Sequence, residues 1–146
     1  MRDDIAIHWF RNDLRLSDNP ALFDATKHKS VLPIFILDTT NAGEYAPGRA
    51  SMWWLNYSLI SLKESLLGNL SIYKGNPIEI ITDLVSRLPI NSIYWNRSYE
   101  PWVTKRDKEI KKILKSLNLV VKSSNGSLLW EPWEINKEDG TPYKVF

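Results

Sequence analysis

The sequence predicts an α/β fold: a doubly wound, Rossmann-like open sheet of about five mainly parallel strands with helices on both faces. Three observations carry this expectation. Short apolar runs alternate along the chain with segments of helical period, the pattern of βαβ units. Helix-start and helix-stop residues stand between them, Asn or Thr with Pro at the starts and Gly or Pro at the ends. Residues 5–20 pass abruptly from an apolar run into alternating charge (Arg11, Asn12, Asp13, Leu14, Arg15) and then into a helix start at Asn19 and Pro20. A strand, loop and helix in that order form the ligand-bearing edge of an open sheet.

Residues 5–10 form the first predicted strand, mostly apolar as a parallel strand buried on both faces must be. Asn19 caps the next helix and Pro20 takes its first position, where a missing N–H costs nothing; the pattern fades near Lys29. Residues 31–37 are the second strand, and 39–47 an edge loop with a glycine and a proline. From Gly48 a long helix is expected, its core stripe Met52, Leu55, Leu59, Leu62 and Leu66 recurring in steps of three and four, with Gly68 closing it. Residues 70–73 are the third strand. Asn76, Pro77 and Glu79 start the next helix with a capping-box-like pattern; Ile80, Ile81, Leu84, Val85 and Leu88 are its buried face and Pro89 its end. Residues 92–95 are the fourth strand. The loop 96–102 leads to a helix for which Thr104 is the expected cap and Asp107 the third position. Residues 119–122 are the fifth strand, and 123–145 a polar, aromatic and proline-containing tail without sustained period.

A chain of 146 residues suits one domain, and 43% hydrophobic with 25% charged residues argues against disorder or a membrane span. No apolar run approaches membrane length. The start, Met1-Arg2-Asp3-Asp4, has acids where a secretory signal needs a basic and then an apolar region, so a cytoplasmic protein is expected. With no cysteine, disulfides and thiolate metal sites are excluded. His8 and His28 lack ligand spacing and predict no metal site. A formal charge of +2 is too small to predict strong nonspecific nucleic-acid binding. The densest basic run, 105–115, reads as the solvated face of a helix whose other face carries Ile110, Ile113, Leu114 and Leu117.

The segment Trp9-Phe10-Arg11, one residue, Asp13-Leu14-Arg15-Leu16, one residue, Asp18-Asn19 resembles the opening signature of the DNA photolyase and cryptochrome family. The resemblance continues through Pro33-Ile34-Phe35-Ile36-Leu37-Asp38, Gly48-Arg49-Ala50, Tyr94-Trp95-Asn96, Tyr99-Glu100-Pro101, Arg106-Asp107 and Gly140-Thr141-Pro142-Tyr143-Lys144-Val145-Phe146, in the family's order. It implies an amino-terminal α/β domain that binds a light-harvesting antenna chromophore (flavin, deazaflavin or methenyl-folate), over residues 1–122. Residues 123–146 would be a tail or linker toward a helical domain that holds catalytic FAD and damaged DNA and is not in this chain. That domain would be the partner, in cis or in trans, and DNA would be met only through it. No catalytic residue is expected here, and no repair of DNA by this polypeptide alone.

On the same resemblance Phe35 and Leu37 would wall the ring system. Asp38 and Arg49 would hold its polar edges or phosphate, Arg49 being the best single candidate because an arginine forks onto phosphate oxygens beside a helix start. Asn96, Ser98 and Glu100 would supply edge hydrogen bonds; Ser98 stands where the family often has an acid. Arg11, Asp13, Arg15 and Asp18 are expected to be a conformational lattice, and the seven tryptophans core and interface bulk.

Two other readings stay open. A nucleotide-using enzyme would share the fold, although neither a Gly-x-Gly-x-x-Gly nor a Walker loop is present. An interaction module without ligand would dock a separate helical partner through residues 130–146, with an exposed aromatic patch there as its mark.

Overall fold

The computed structural model describes residues 4–141 and residue 143. Met1, Arg2 and Asp3 of the amino-terminal expectation, and Pro142, Lys144, Val145 and Phe146 of the terminal motif, lie outside the described residues. The elements run β1 (Ile5–Phe10), α1 (Pro20–Ala25), β2 (Ser30–Asp38), α2 (Arg49–Ser65), β3 (Ser71–Gly75), α3 (Pro77–Arg87), β4 (Ile90–Asn96), α4 (Pro101–Ser116) and β5 (Val120–Ser124). A single 3₁₀ turn, Gly43–Tyr45, lies in the loop before α2.

The strands form one sheet in the order β3-β2-β1-β4-β5, with every pairing parallel. Three strands are laid down in one direction, and the chain then returns beside β1 to lay down two more. The order therefore reverses between β1 and β4, the topological switch point where open α/β sheets leave a crevice.

Alternation along the strands sorts side chains to two faces. Ile7, Trp9, Ile34, Ile36, Ile93 and Trp95 meet Ile81 and Leu84 of α3 and Ile110 and Leu114 of α4 in one buried cluster. The Trp9 and Trp95 rings meet edge to face at 5.6 Å. On the opposite face, Phe10 and Phe35 pack on Leu59 and Leu62 of α2. Ala6 and Tyr94 pack separately on Ala21 and Ala25 of α1.

Several boundaries differ from the sequence reading. Helix α1 stops at Ala25 rather than near Lys29, because the Thr26 hydroxyl turns back onto the Phe23 carbonyl (2.8 Å). Helix α4 begins at Pro101, whose fixed φ suits the first helical position, with Glu100 rather than Thr104 at the cap. Asp107 then lies in the helix interior as a buried ion-pair partner. The α2 stripe is core only at Leu59 and Leu62; Met52, Leu55 and Leu66 are half-buried, Leu55 because the first half of the helix borders a cleft and Leu66 because it caps the end of the helix. This helix ends on Leu67 in left-handed backbone (φ 53), one residue before the expected Gly68. Trp9 and Trp95 are core, whereas Trp53, Trp54, Trp130 and Trp133 are each more than half exposed.

Strand β5 runs to Ser124, past the expected boundary at residue 122, and the segment after it is tied down. Arg97 donates from Nε and Nη2 to the two oxygens of the buried Glu131 (2.6 and 2.9 Å), and the Tyr99 hydroxyl donates to the same carboxylate (2.6 Å). Gly126 is pressed against Asn96: a Cβ there would stand 2.6 Å from Asn96 Cγ, so no other residue fits without displacement. No helix among the described residues is long and apolar enough to cross a membrane.

Candidate functional site

Parallel strands bring Phe10, Asp38 and Asn96, the last residues of β1, β2 and β4, to one rim. A row of buried charge crosses that rim. The Asp38 carboxylate accepts from the backbone N–H of Thr40 (3.0 Å) and Asn41 (2.9 Å), from the Asn41 amide, and from Arg106 Nη1 (2.9 Å). Arg106 also donates to Asp107 Oδ1 (3.0 Å from Nη2), and Asp107 Oδ2 accepts from Arg11 Nη1 (2.6 Å). Arg11 reaches on to the carbonyl of Asn96. Both guanidinium groups lie over Trp9, at 5.3 and 5.1 Å from the ring centre, and Arg106 lies 5.2 Å from Trp102 as well. Burial pushes the Asp38 carboxyl up, but the hydrogen bonds from Asn41, Arg106 and Thr40 outweigh it and hold it below the usual carboxylate range.

The crevice at the switch point is closed by polar side chains. Asn96 Nδ2 donates to Asp13 Oδ2 (2.5 Å) and Asn19 Oδ1 (2.7 Å), and its Oδ1 accepts from the backbone N–H of Ala21 (3.2 Å). Arg15 donates to the carbonyls of Asp18 (2.9 Å) and Gly126 (2.5 Å), binding the first loop to the segment after β5. Beside this plug lies a smaller cleft of about 480 Å³ that includes Asn12, Arg97, Ser98 and Glu100.

The larger opening is displaced toward β2 and α2. It is a cleft of about 1040 Å³ floored by Phe35, Leu37 and Leu14, with Trp54 and Leu55 of α2 on one side and Trp102 at the start of α4 among its further walls. Arg11, Asp38 and Glu100 also border it. The lining is apolar and aromatic in larger part, with Asn12, Arg15, Ser51, Ser58 and Glu100 as polar edges, so a flat molecule with an apolar ring system and polar edges matches the space.

Of the seven residues named from sequence, the structure brings four to this cleft: Phe35, Leu37, Asp38 and Glu100. The Asp38 oxygens are already committed to Asn41, Thr40 and Arg106, and the Asn96 amide to Asp13, Asn19 and Ala21. Ser98 lines the smaller neighbouring cleft. Arg49 is exposed, makes no hydrogen bond or ion pair among the described residues, and is not a lining residue of the cleft, although Ala50 and Ser51 beside it are. Sequence reasoning missed Trp54 and Trp102 as walls. Trp102 ends the expected loop 96–102 after the fourth strand, and that position was the available signal.

A second constellation stands at the opposite, amino-terminal edge of the sheet. His28 bridges Asp4 (Nδ1 to Oδ1, 2.8 Å), Tyr94 (Nε2 to the hydroxyl, 2.8 Å) and Ser92 (3.2 Å). The grouping resembles a nucleophile triad, but Ser92 is wholly buried and shares the imidazole with Tyr94, so it ties strands together and offers no attack on a substrate.

A family model described as DNA photolyase matches residues 6–146. Cryptochrome-2 of Arabidopsis thaliana is 42% identical over 148 residues, which cover 99% of this chain and 24% of that protein. A deoxyribodipyrimidine photo-lyase of Agrobacterium fabrum is 40% identical over 144 residues, 96% of this chain and 29% of that one. Among solved structures, a bacterial class III photolyase from Agrobacterium tumefaciens superposes with a TM-score of 0.89 at 37% identity, covering 99% of this chain and 30% of the other. An archaeal photolyase from Sulfolobus tokodaii, solved with two FAD molecules and described as implying a novel light-harvesting cofactor, gives a TM-score of 0.73 at 25% identity, covering 83% of this chain and 29% of its own. The chain thus spans about a quarter of the length of the curated relatives it matches.

Proposed function

This chain belongs to the DNA photolyase family, and from that premise we propose that it is the antenna-binding α/β domain of a photolyase or cryptochrome, serving light-driven DNA repair or blue-light sensing in a complete protein. The observation that carries the proposal is the cleft of about 1040 Å³ at the carboxyl ends of β1 and β2, with Phe35, Leu37, Trp54 and Trp102 in its lining and polar residues at its edges. An antenna bound there supplies absorption of light and passes the excitation on. The chain's own residues hold and orient it: Phe35, Leu37, Trp54 and Trp102 as walls, and Glu100, which makes no hydrogen bond through its side chain among the described residues, as an edge acceptor.

Arg49 keeps a role in this reading only through reach, from the first turn of α2 beside Ala50 and Ser51. Asp38 and Asn96 act on the ligand indirectly, by setting the rim. The FAD-bearing helical domain is the partner in cis. The exposed Leu129, Trp130 and Trp133 favour packing of further protein against that segment. A cytoplasmic setting belongs to the same proposal.

The test is an absorption and fluorescence titration with flavin mononucleotide, a deazaflavin and a methenyl-folate, repeated on Ala50→Trp. Position 50 is exposed and borders the cleft, so the new ring fills the space while leaving the core alone. Saturable binding lost in Ala50→Trp supports the assignment. Binding that survives the variant undiminished places the antenna elsewhere.

A further inference from the structure

Helix α2 is apolar on two sides. Leu59 and Leu62 are buried against the sheet, whereas Trp53, Tyr57 and Ile60 are 61%, 55% and 47% exposed. The Trp53 and Tyr57 rings pack on each other at 4.7 Å. A helix that is hydrophobic all round is one that is covered all round, since a face kept in water takes polar residues. The outer residues also keep a register. Arg49, Trp53, Tyr57, Ile60 and Glu64 follow at steps of four, four, three and four, so they form one stripe on the side away from the sheet. Trp54 is turned off that stripe and lines the large cleft.

A charge closes the stripe at each end. Arg49 stands in the first turn of α2 and Glu64 in the last, both exposed. Neither side chain makes a hydrogen bond or ion pair among the described residues. Lys63 lies about 100° round the helix from Glu64 and so off the stripe. The pattern is self-complementary. Turned antiparallel about a two-fold axis between Asn56 and Tyr57, a second α2 sets Arg49 against Glu64, Trp53 against Ile60, and Tyr57 beside the axis. Each of the outer contacts then forms twice. A parallel pairing would set Arg49 on Arg49 and Glu64 on Glu64, which like charge disfavours.

The area is in proportion. With about 150–250 Å² available from each aromatic side chain, the stripe exposes roughly 300 Å² of apolar surface, a patch of the size that often has a function. Two such faces with their polar flanks reach the low end of specific interfaces, about 1,200 Å² in total, so the association is reversible. The segment proposed to meet the helical domain lies elsewhere. It follows β5, at the opposite edge of the sheet from β2 and β3, the strands that α2 connects.

We infer that the outer face of α2 is a homodimerisation surface, on which a second copy of this chain pairs its own α2 antiparallel through Trp53, Tyr57 and Ile60, with an Arg49–Glu64 ion pair at each end.

The experiment is sedimentation equilibrium of the chain over a wide range of concentration, where the mass should rise from that of one chain toward that of two. Arg49→Glu and Glu64→Arg should each weaken the dimer about tenfold, because each puts like charges together at both ends of the interface. Combined in one chain, the two changes restore opposite pairing and should restore the dimer. Trp53→Ser, at an exposed position, should abolish it. The chain has no cysteine, so Tyr57→Cys, beside the axis, should link two copies on mild oxidation, whereas Phe23→Cys, exposed on α1, should not. The inference is overturned if the mass stays that of one chain throughout, if the double reversal associates no better than the single ones, or if Phe23→Cys links as readily as Tyr57→Cys.

Discussion

On the face covered by α3 and α4, strands and helices meet in one continuous apolar cluster that includes both buried tryptophans of the sheet. On the face covered by α1 and α2, the apolar contacts divide into two smaller groups, with a buried histidine on the intervening strand and a large cleft beside them. Burial is continuous where the helices lie flat along the sheet. It is interrupted where the first half of α2 borders the cleft over the ends of β1 and β2. The closed face holds the fold together, and the open face can keep an apolar cleft floor of Phe35 and Leu37 because stability is supplied from behind it.

The largest expected effect sets the two faces against each other. Trp95→Ala removes a fully buried ring and should cost about 3–5 kcal/mol, whereas Leu59→Ala, beside a small open hollow under α2 where neighbours can relax, should cost about 2 kcal/mol. Denaturant unfolding measures both, and equal losses would break the comparison.

The next concerns His8 on the open face. It is wholly buried, and neither ring nitrogen makes a hydrogen bond of ordinary geometry. Burial pushes its pKa down from 6.5 to about 4, with the nearby Asp13 pulling weakly the other way. Between those two values the unfolded chain binds the proton and the folded chain does not. The stability contributed by the neutral ring is thus complete above the unfolded pKa and is lost as the pH falls toward the folded one, by about 3 kcal/mol in all. Unfolding followed from pH 7 to 4 should show that slope, and His8→Leu should flatten it; a variant with the parent's slope assigns the pH dependence to other groups.

The smallest effect is a gain. Leu67 is 89% exposed and holds left-handed backbone at the end of α2. Leu67→Gly removes that strain at the expense of unfolded-chain entropy and should stabilise the domain by about 0.5–1 kcal/mol. A thermal melt checks the sign, and a lower melting temperature would show that the leucine side chain contributes packing on the open face.

Much of the fold was legible in the order of residues. Asn19 with Pro20 and Asn76 with Pro77 mark helix starts by local chemistry, and both asparagine side chains do accept the expected backbone N–H. The central strands β1, β2 and β4 were legible as apolar runs because they are covered on both sides, whereas the edge strands β3 and β5 hold no buried residue. Thr104 misled for the reason that makes caps readable elsewhere: its residue type fits a cap, but Pro101 had already fixed the start of the helix.

The candidate site was half legible. Phe35 and Leu37 could be placed because alternation along one strand says which side chains share a face. Local residue order cannot say that Asp38 will meet Arg106, 68 positions later, or that Asn96 will lie across Asp13 and Asn19. Those contacts turn expected ligand donors into parts of the frame.

By itself, then, the sequence determined the fold class, the strand and helix order, the family and the rim on which the loops gather. These stem from periodicity, capping and motif order, which act over a few residues. Only the tertiary structure decided that the switch-point crevice is closed, that the open cleft lies toward α2 between Trp54 and Trp102, and that Lys111 of the basic run turns in against Trp95 and Ser123. Each depends on groups from distant elements competing for the same partner, and that competition is resolved only when the sheet is assembled.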